Sequence, residues 1–360
     1  MSSTHYNAAM IALARDSRGL TQTEFARKIG VPQGTVSKIE SGVAHISQEI
    51  IEKVSEGLQY PISFFSQTDV VFPFGSSTFY HRRLQSVPST TLKKIEAKVN
   101  IYRFHVTRLI RSTDLDKRCR FRRMDVDEYG GRIGELAQLT RSAWRLPSGP
   151  IENMTGAIEN AGGIVIRFDF GTAKMFGISE WVAPAPPLFF INDNSEISAD
   201  RDRFTLAHEL GHVILHNFPN PKMEEEANRF AAEFLTPARD IRPHLVAPIR
   251  LHTVARLKPY WKVSMAELLQ RSLDLGVITQ NQFVYLRIQL QQKGYRFREP
   301  AELDIARERP TLLREIIQEH VRVLGFGYSE LAEMVSMSPT EFRSYHGIDG
   351  HLGGLKLVSA

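Results

Sequence analysis

The chain has 360 residues, 42% of them hydrophobic and 24% charged, with a formal net charge of +5, the proportions of a soluble globular protein with room for two or three domains. No apolar run reaches the roughly eighteen residues that a membrane-spanning helix needs, and the N-terminus lacks the basic-then-apolar pattern of a signal peptide, so a cytoplasmic protein with no membrane partner is expected. The single cysteine, Cys119, excludes an internal disulfide framework and fits a reducing compartment.

In chain order, residues 7–66 read as an all-α unit of five helices. Ala8 to Ala14 is the first. Thr21-Gln22-Thr23-Glu24 is a capping box that opens the second, with Phe25, Ala26 and Ile29 turned inward and Gly30 ending it. Val31-Pro32-Gln33 leads into a third helix that buries Val36 and Ile39. Ile46 to Leu58 and Pro61 to Phe65 complete the set. A helix, a tight glycine turn and a helix with polar outward residues make a helix-turn-helix pattern. In that geometry the third helix enters the major groove with Gln33, Thr35, Ser37 and Lys38 exposed. Gln can pair with adenine, and Lys can reach guanine or phosphate. Gln22 and the amide end of the second helix are placed to meet the DNA backbone.

Charge qualifies that reading. Residues 1–60 hold six basic and six acidic side chains, so one copy neutralises few phosphates and binds weakly. Either the unit dimerises or the segment that follows supplies charge. From Tyr80 to Arg123 there are thirteen bases and only three acids. Thr68 to Ser77, with Pro73 and Gly75, reads as a linker. Ser89 to about Arg111 is then a long amphipathic helix with a basic outer face, either solvated or turned to nucleic acid. Cys119 lies among Lys117, Arg118, Arg120 and Arg122 and reads as an incidental thiol.

From about residue 126 a second globular unit begins. Gly131 to Trp144 and Ile151 to Asn160 look helical. Ile164 to Phe168, Phe176 to Val182 and Leu188 to Ile191 read as strands, the first by its β-branching. An edge strand here could hold an extended peptide. The chain then enters His208-Glu209-Leu210-Gly211-His212, the H-E-x-x-H pattern. On a helix, positions i and i+4 share a face, so two imidazoles can meet one cation. Glu209 can take a proton from a water on that cation. Two His and a Glu inside the apolar run Phe204 to Leu215 cost free energy unless they are satisfied. A third ligand is expected from Glu224-Glu225-Glu226, which opens an amphipathic helix with Ala227, Phe230, Ala231, Phe234 and Leu235 inward. At about 100° per residue, Glu224 falls on the flank of the apolar face, Glu225 points to solvent and Glu226 lies further off on the opposite side. Glu224 is therefore the expected ligand, and an acidic first turn that favours the helix dipole accounts for the other two. Asn228 is placed to hold a ligand histidine. His216 reads as a helix-end histidine rather than a ligand. After Pro237 the chain is helical to the end, and Tyr328 to Phe342 echoes a second helix-turn-helix without convincing recognition residues. The Gly-rich end, His351 to Gly354, reads as mobile.

Two resemblances follow. Thr21-Gln22-x-x-Phe25-Ala26-x-x-Ile29-Gly30-Val31 with Val36-Ser37-Lys38-Ile39-Glu40-Ser41-Gly42 resembles the XRE-type, Cro-like phage-repressor DNA-binding domains. Arg203 to His212 followed by Glu224-x-x-Ala227-Asn228-x-Phe230-Ala231-Ala232-x-x-Leu235-x-Pro237 resembles the ImmA/IrrE zinc metallopeptidases. That resemblance implies zinc (Zn2+) on His208, His212 and a glutamate within 224–226, Glu209 as catalytic base, and cleavage of repressor-type regulators.

The expected fold is thus mainly α with a small α+β zincin-like domain. Residues 1–68 are the DNA-binding domain, 69–125 a linker with the basic helix, 126–245 the metallopeptidase domain and 246–360 a helical C-terminal region. Expected partners are double-stranded operator DNA, a second copy of the chain and a repressor-like protein substrate. The alternatives are a transcription factor whose zinc domain senses but does not cleave, and a toxin–antitoxin or prophage regulator.

Overall fold

The computed structural model describes residues 6–72, 87–111, 113, 120–295 and 298–348. Half of the expected linker, the bases Arg82, Arg83, Lys117 and Arg118, Cys119 and the Gly-rich end lie outside them. The fold is mainly α, with one three-stranded sheet among the described residues.

The chain divides into two compact units. The first opens with α1 (Ala8–Ser17), α2 (Gln22–Ile29), α3 (Gln33–Glu40), α4 (Gln48–Leu58) and a 3-10 turn at Ile62–Ser66. The capping box on α2 is present, with Thr21 and Glu24 each satisfying the other's backbone. Gly30 ends α2 in the left-handed region, where a side chain would be strained. Phe25, Ile29, Val36, Ile39, Ile51, Val54, Leu58, Phe64 and Phe65 form the core. α5 (Ser89–Ile110) joins the same unit and contributes Ala97, Ile101 and Phe104 to that core.

The expected solvated basic face of α5 is only partly found. Arg103 is 9% exposed; it donates to the Val70 carbonyl and lies over the Phe72 ring. Arg108 pairs with Asp69. These cations are turned back onto residues 67–72 because buried guanidinium groups need acceptors, and so they are withdrawn from solvent.

The second unit begins with α6 (Ile133–Ala143) and α7 (Met154–Asn160), followed by β1 (Ile164–Phe168), β2 (Gly177–Glu180) and β3 (Leu188–Asn192). The sheet order is β1-β3-β2, with β1 parallel and β2 antiparallel to β3. β3 is buried along its whole length, as its apolar run Leu188-Phe189-Phe190-Ile191 requires. β2 lies at the edge of the described sheet. α8 (Ala199–Leu215) and α9 (Met223–Leu235) pack on each other, and α8 also packs on β2. α10 (Leu251–Trp261), α11 (Met265–Asp274) and α12 (Gln280–Gln292) complete the core around Val254, Trp261, Leu268, Leu269 and Leu286.

A strap of chain, residues 298–311, with a single 3-10 turn at Ala301–Leu303, then crosses this unit. Its charges meet the first turn of α8. Arg307 bonds Asp202 at 2.7 Å and Glu308 pairs with Arg203. Glu299 takes Lys258 at 2.7 Å, and the same ammonium reaches Asp200 at 3.3 Å. Glu308 also accepts from the backbone N–H of Met154 and Thr155, and Glu299 from that of Met265, so each carboxylate caps a helix N-terminus.

The strap leads to α13 (Leu312–Arg322), α14 (Tyr328–Met334) and α15 (Pro339–Tyr345), which belong to the first unit from residue 313 on. Tyr345 stacks on Tyr102 of α5 at 4.3 Å and accepts that residue's hydroxyl at its carbonyl. Arg18, at the end of α1, donates to both carboxylate oxygens of Glu341. The helix-turn-helix echo at 328–342 is therefore engaged in packing through Glu341.

Candidate metal centre and recognition helix

α8 is almost wholly buried, so its polar side chains must be satisfied from within. His208 and His212 lie one turn apart, as the i, i+4 spacing dictates, and their Nε2 atoms face each other at 3.0 Å. Glu224, in the first turn of α9, closes the group: its Oε1 is 3.3 Å from His212 Nε2 and its Oε2 is 3.7 Å from His208 Nε2. One ligand atom from each of the three lies within 4.8 Å of the others. Glu225 is exposed, and its carboxylate is 3.6 Å from Arg229.

Gly211 makes this possible. A Cβ there would stand 3.0 Å from Ala227 Cα and 3.2 Å from the Ala227 carbonyl oxygen. Only a residue without one lets α9 lie so close to α8, and that approach carries Glu224 to the histidines. Gly177 does the same on the other side, where a Cβ would meet Thr205 Cγ2 at 2.6 Å. β2 is thereby seated against α8, and its Ser179 hydroxyl donates to Glu209 Oε2 at 2.8 Å. Glu209 is 3% exposed.

The remaining nitrogens of the imidazole pair are held from outside. His208 Nδ1 is 2.9 Å from Asn228 Oδ1. His212 Nδ1 is 3.0 Å from His216 Nδ1, and His216 Nε2 is 3.0 Å from Glu226 Oε2, which also accepts from Asn220 at 3.2 Å. Burial, with His216 beside it, pushes the His212 imidazole down to about 3. Burial also lowers His216, against the opposing pull of Glu226. Neutral imidazoles with their Nε2 atoms converging on a carboxylate are the donor set that a divalent cation of zinc's character takes. The residues fit such a group.

In the first unit, Gln33 and Lys38 of α3 are exposed, and Thr35 and Ser37 are half-buried. Gln33 does not stand alone. Its Nε2 donates to Gln22 Oε1 at 3.0 Å, Gln22 Nε2 donates to Glu40 Oε2 at 2.8 Å, and Arg15 grips Glu40 with two nitrogens at 2.6 and 2.9 Å. A buried ion pair thus fixes the amide that opens α3. Gln22, read from sequence as a backbone contact, is engaged in this chain of bonds.

Residues 159–273 match the IrrE N-terminal-like domain, and residues 11–65 match the helix-turn-helix family. The chain fuses an XRE-type helix-turn-helix domain to an IrrE-like domain. Among curated proteins none matches the chain at a significant level. The match to the IrrE-like domain covers β1–β3 and both helices that bring His208, Glu209, His212 and Glu224 together. No described helix is long and apolar enough to cross a membrane.

Sequence reasoning missed two parts of this centre. Ser179 had no signal beyond lying in a predicted strand. Glu226 was placed on the far side of its helix, yet its side chain is only 15% exposed and turned to His216. The helical wheel ranks positions about one axis. It does not show that the end of α8 passes beside the first turn of α9, which is what makes Glu226 an inner residue.

Proposed function

We propose that the protein is a DNA-binding regulator whose IrrE-like unit is a zinc-dependent endopeptidase acting on a protein partner. The convergence of His208, His212 and Glu224, with Glu209 held beside them by Ser179, carries the reading. A zinc ion on those three side chains would acidify a water and polarise a substrate carbonyl. Glu209 takes the proton from the attacking water and returns it to the leaving amine. Ser179 orients the Glu209 carboxylate for both transfers. β2, at the sheet edge and carrying Ser179, offers backbone groups to an extended peptide, which favours a polypeptide substrate. The resemblance to ImmA/IrrE peptidases makes a repressor-type regulator the first substrate to try.

The decisive experiment incubates candidate repressors with the full chain, with and without chelator, and reads the products by mass spectrometry. Zinc near one equivalent and chelator-sensitive cleavage lost in Glu209→Gln is the expected result. Full cleavage by Glu209→Gln, or purified protein that neither holds nor takes up zinc, rejects the enzyme. Zinc without cleavage of any candidate favours a sensing role instead. For the DNA half, α3 enters the major groove with Gln33, Thr35, Ser37 and Lys38, and two copies bind a two-fold operator. Unchanged operator affinity in both Gln33→Ala and Lys38→Ala removes α3 from the interface. Sedimentation of the DNA complex tests the homodimer.

A further inference from the structure

The bonds beyond His212 form a directed series. A neutral imidazole has one donor and one acceptor nitrogen. If His212 offers its Nε2 lone pair to a cation, its proton is on Nδ1 and points at His216 Nδ1, 3.0 Å away. That nitrogen must then accept, so the His216 proton is on Nε2, facing Glu226 Oε2 at 3.0 Å. Asn220 adds a second donor to the same oxygen. One requirement at the ligand end fixes every proton out to the carboxylate. His208 Nδ1 faces instead the neutral amide oxygen of Asn228. The two ligand imidazoles are therefore supported unequally, one by an amide and one by a carboxylate acting through a second imidazole. The two nitrogens of His216 are taken by His212 and Glu226, and its side chain is 4% exposed.

Resting on the reading of this site as a metal centre, we propose that His216 and Glu226 are positioning residues that orient His212, fix its tautomer and raise its donor strength, and so set how tightly the cation is held. Neither touches substrate or cation. Groups in this outer position cost roughly 10–100-fold in metal affinity when removed.

The test uses the full chain and zinc alone, with affinity from competition against a chromophoric chelator and no assay of cleavage. Glu226→Gln keeps the size of the side chain but removes its charge, and His216→Phe keeps a ring but removes its nitrogens. Each is expected to bind zinc about tenfold or more weakly than wild type, at unchanged helical circular dichroism. The double variant is expected to lose no more than His216→Phe alone, because Glu226 acts only through His216. Cobalt substitution gives a second readout: its visible absorption bands should shift in both single variants, since the donor strength of His212 changes. Wild-type zinc affinity in Glu226→Gln, or additive losses in the double variant, overturns the relay. Should His216→Phe fail to fold, the Glu226→Gln affinity and cobalt spectrum decide alone. Failure of the wild type to bind zinc would instead strike the underlying reading, so the two failures are distinguishable.

Discussion

Gly211→Ala sets two effects of opposite sign against each other. In a helix interior alanine is better than glycine by about 1 kcal/mol, so at an open position the substitution stabilises. At 211 the added methyl would stand 3.0 Å from Ala227 Cα, 3.2 Å from the Ala227 carbonyl oxygen and 3.3 Å from Phe230 Cβ. Ordinary carbon contacts lie at about 3.5–4.0 Å, so on the order of 0.5 Å must be found. Two of the three neighbours are backbone, which cannot swing aside. Relief therefore requires α9 to move as a body. Overpacking of this kind costs about 1–3 kcal/mol, which matches or exceeds the propensity gain. The variant should be no more stable than wild type and up to about 2 kcal/mol less stable. The larger effect is on the centre, because Glu224 rides on the same helix one turn before Ala227. Side chains that converge on one cation must be held within about 0.5 Å of their productive positions, so zinc affinity should fall tenfold or more. Urea denaturation of the zinc-free chain and chelator competition measure the two quantities. A variant about 1 kcal/mol more stable than wild type that holds zinc equally well would refute the account of Gly211 as the contact that admits α9.

Three further outcomes are expected. Ser179→Ala removes a 2.8 Å bond to Glu209; a hydrogen bond to a charged group contributes about 1.5–3 kcal/mol, so cleavage should slow about tenfold with zinc content unchanged, and equal turnover would count against an orienting role. Glu40→Ala takes from Arg15, 7% exposed, its bidentate partner but leaves it Asp16 and the Leu20 carbonyl; the loss should therefore fall below the roughly 3–5 kcal/mol of a fully stranded charge, the helix-turn-helix unit should melt below wild type, and an unchanged melting temperature would show the pair to be dispensable. Burial pushes the Glu267 carboxyl up to about 7, with Arg201 pulling the other way. The folded state thus binds that proton more tightly than the unfolded chain does. Its contribution is complete below about 4.5 and is lost as pH rises through 7, by at most about 3 kcal/mol. Glu267→Gln should flatten stability over pH 5–8 in urea titrations, and an unchanged slope would remove Glu267 as its source.

Local chemistry was readable in the amino-acid string. The Thr21/Glu24 box and the inward set Phe25, Ala26 and Ile29 state one helix, the β-branched run Ile164-Val165-Ile166 states a strand, and both elements form where expected. The spacing of His208 and His212 is likewise a local fact, fixed by helical pitch. What could not be read was set by contacts between distant segments. Ser179 reaches Glu209 because Gly177 admits β2 against α8. Arg103 and Arg108 of α5 are withdrawn from solvent because residues 67–72 cover them. The helices after residue 313 group with the N-terminal unit because Tyr345 finds Tyr102 and Glu341 finds Arg18, pairs separated by more than 240 residues. Hydropathy along a helix says which face is apolar, but not which partner covers it.

The strap bears on where this protein can be cut. The match to the IrrE-like domain ends at residue 273, yet Glu299, Arg307 and Glu308 hold the opening turn of the helix that carries His208 and His212. A fragment ended at the homology limit would take Glu308 from Arg203, Arg307 from Asp202 and Glu299 from Lys258, and would leave the backbone N–H groups of Met154, Thr155 and Met265 without their carboxylate acceptors. The smallest expressible IrrE-like unit therefore extends past residue 308, and a shorter clone that yields aggregated material would report on its own missing segment rather than on what the unit does.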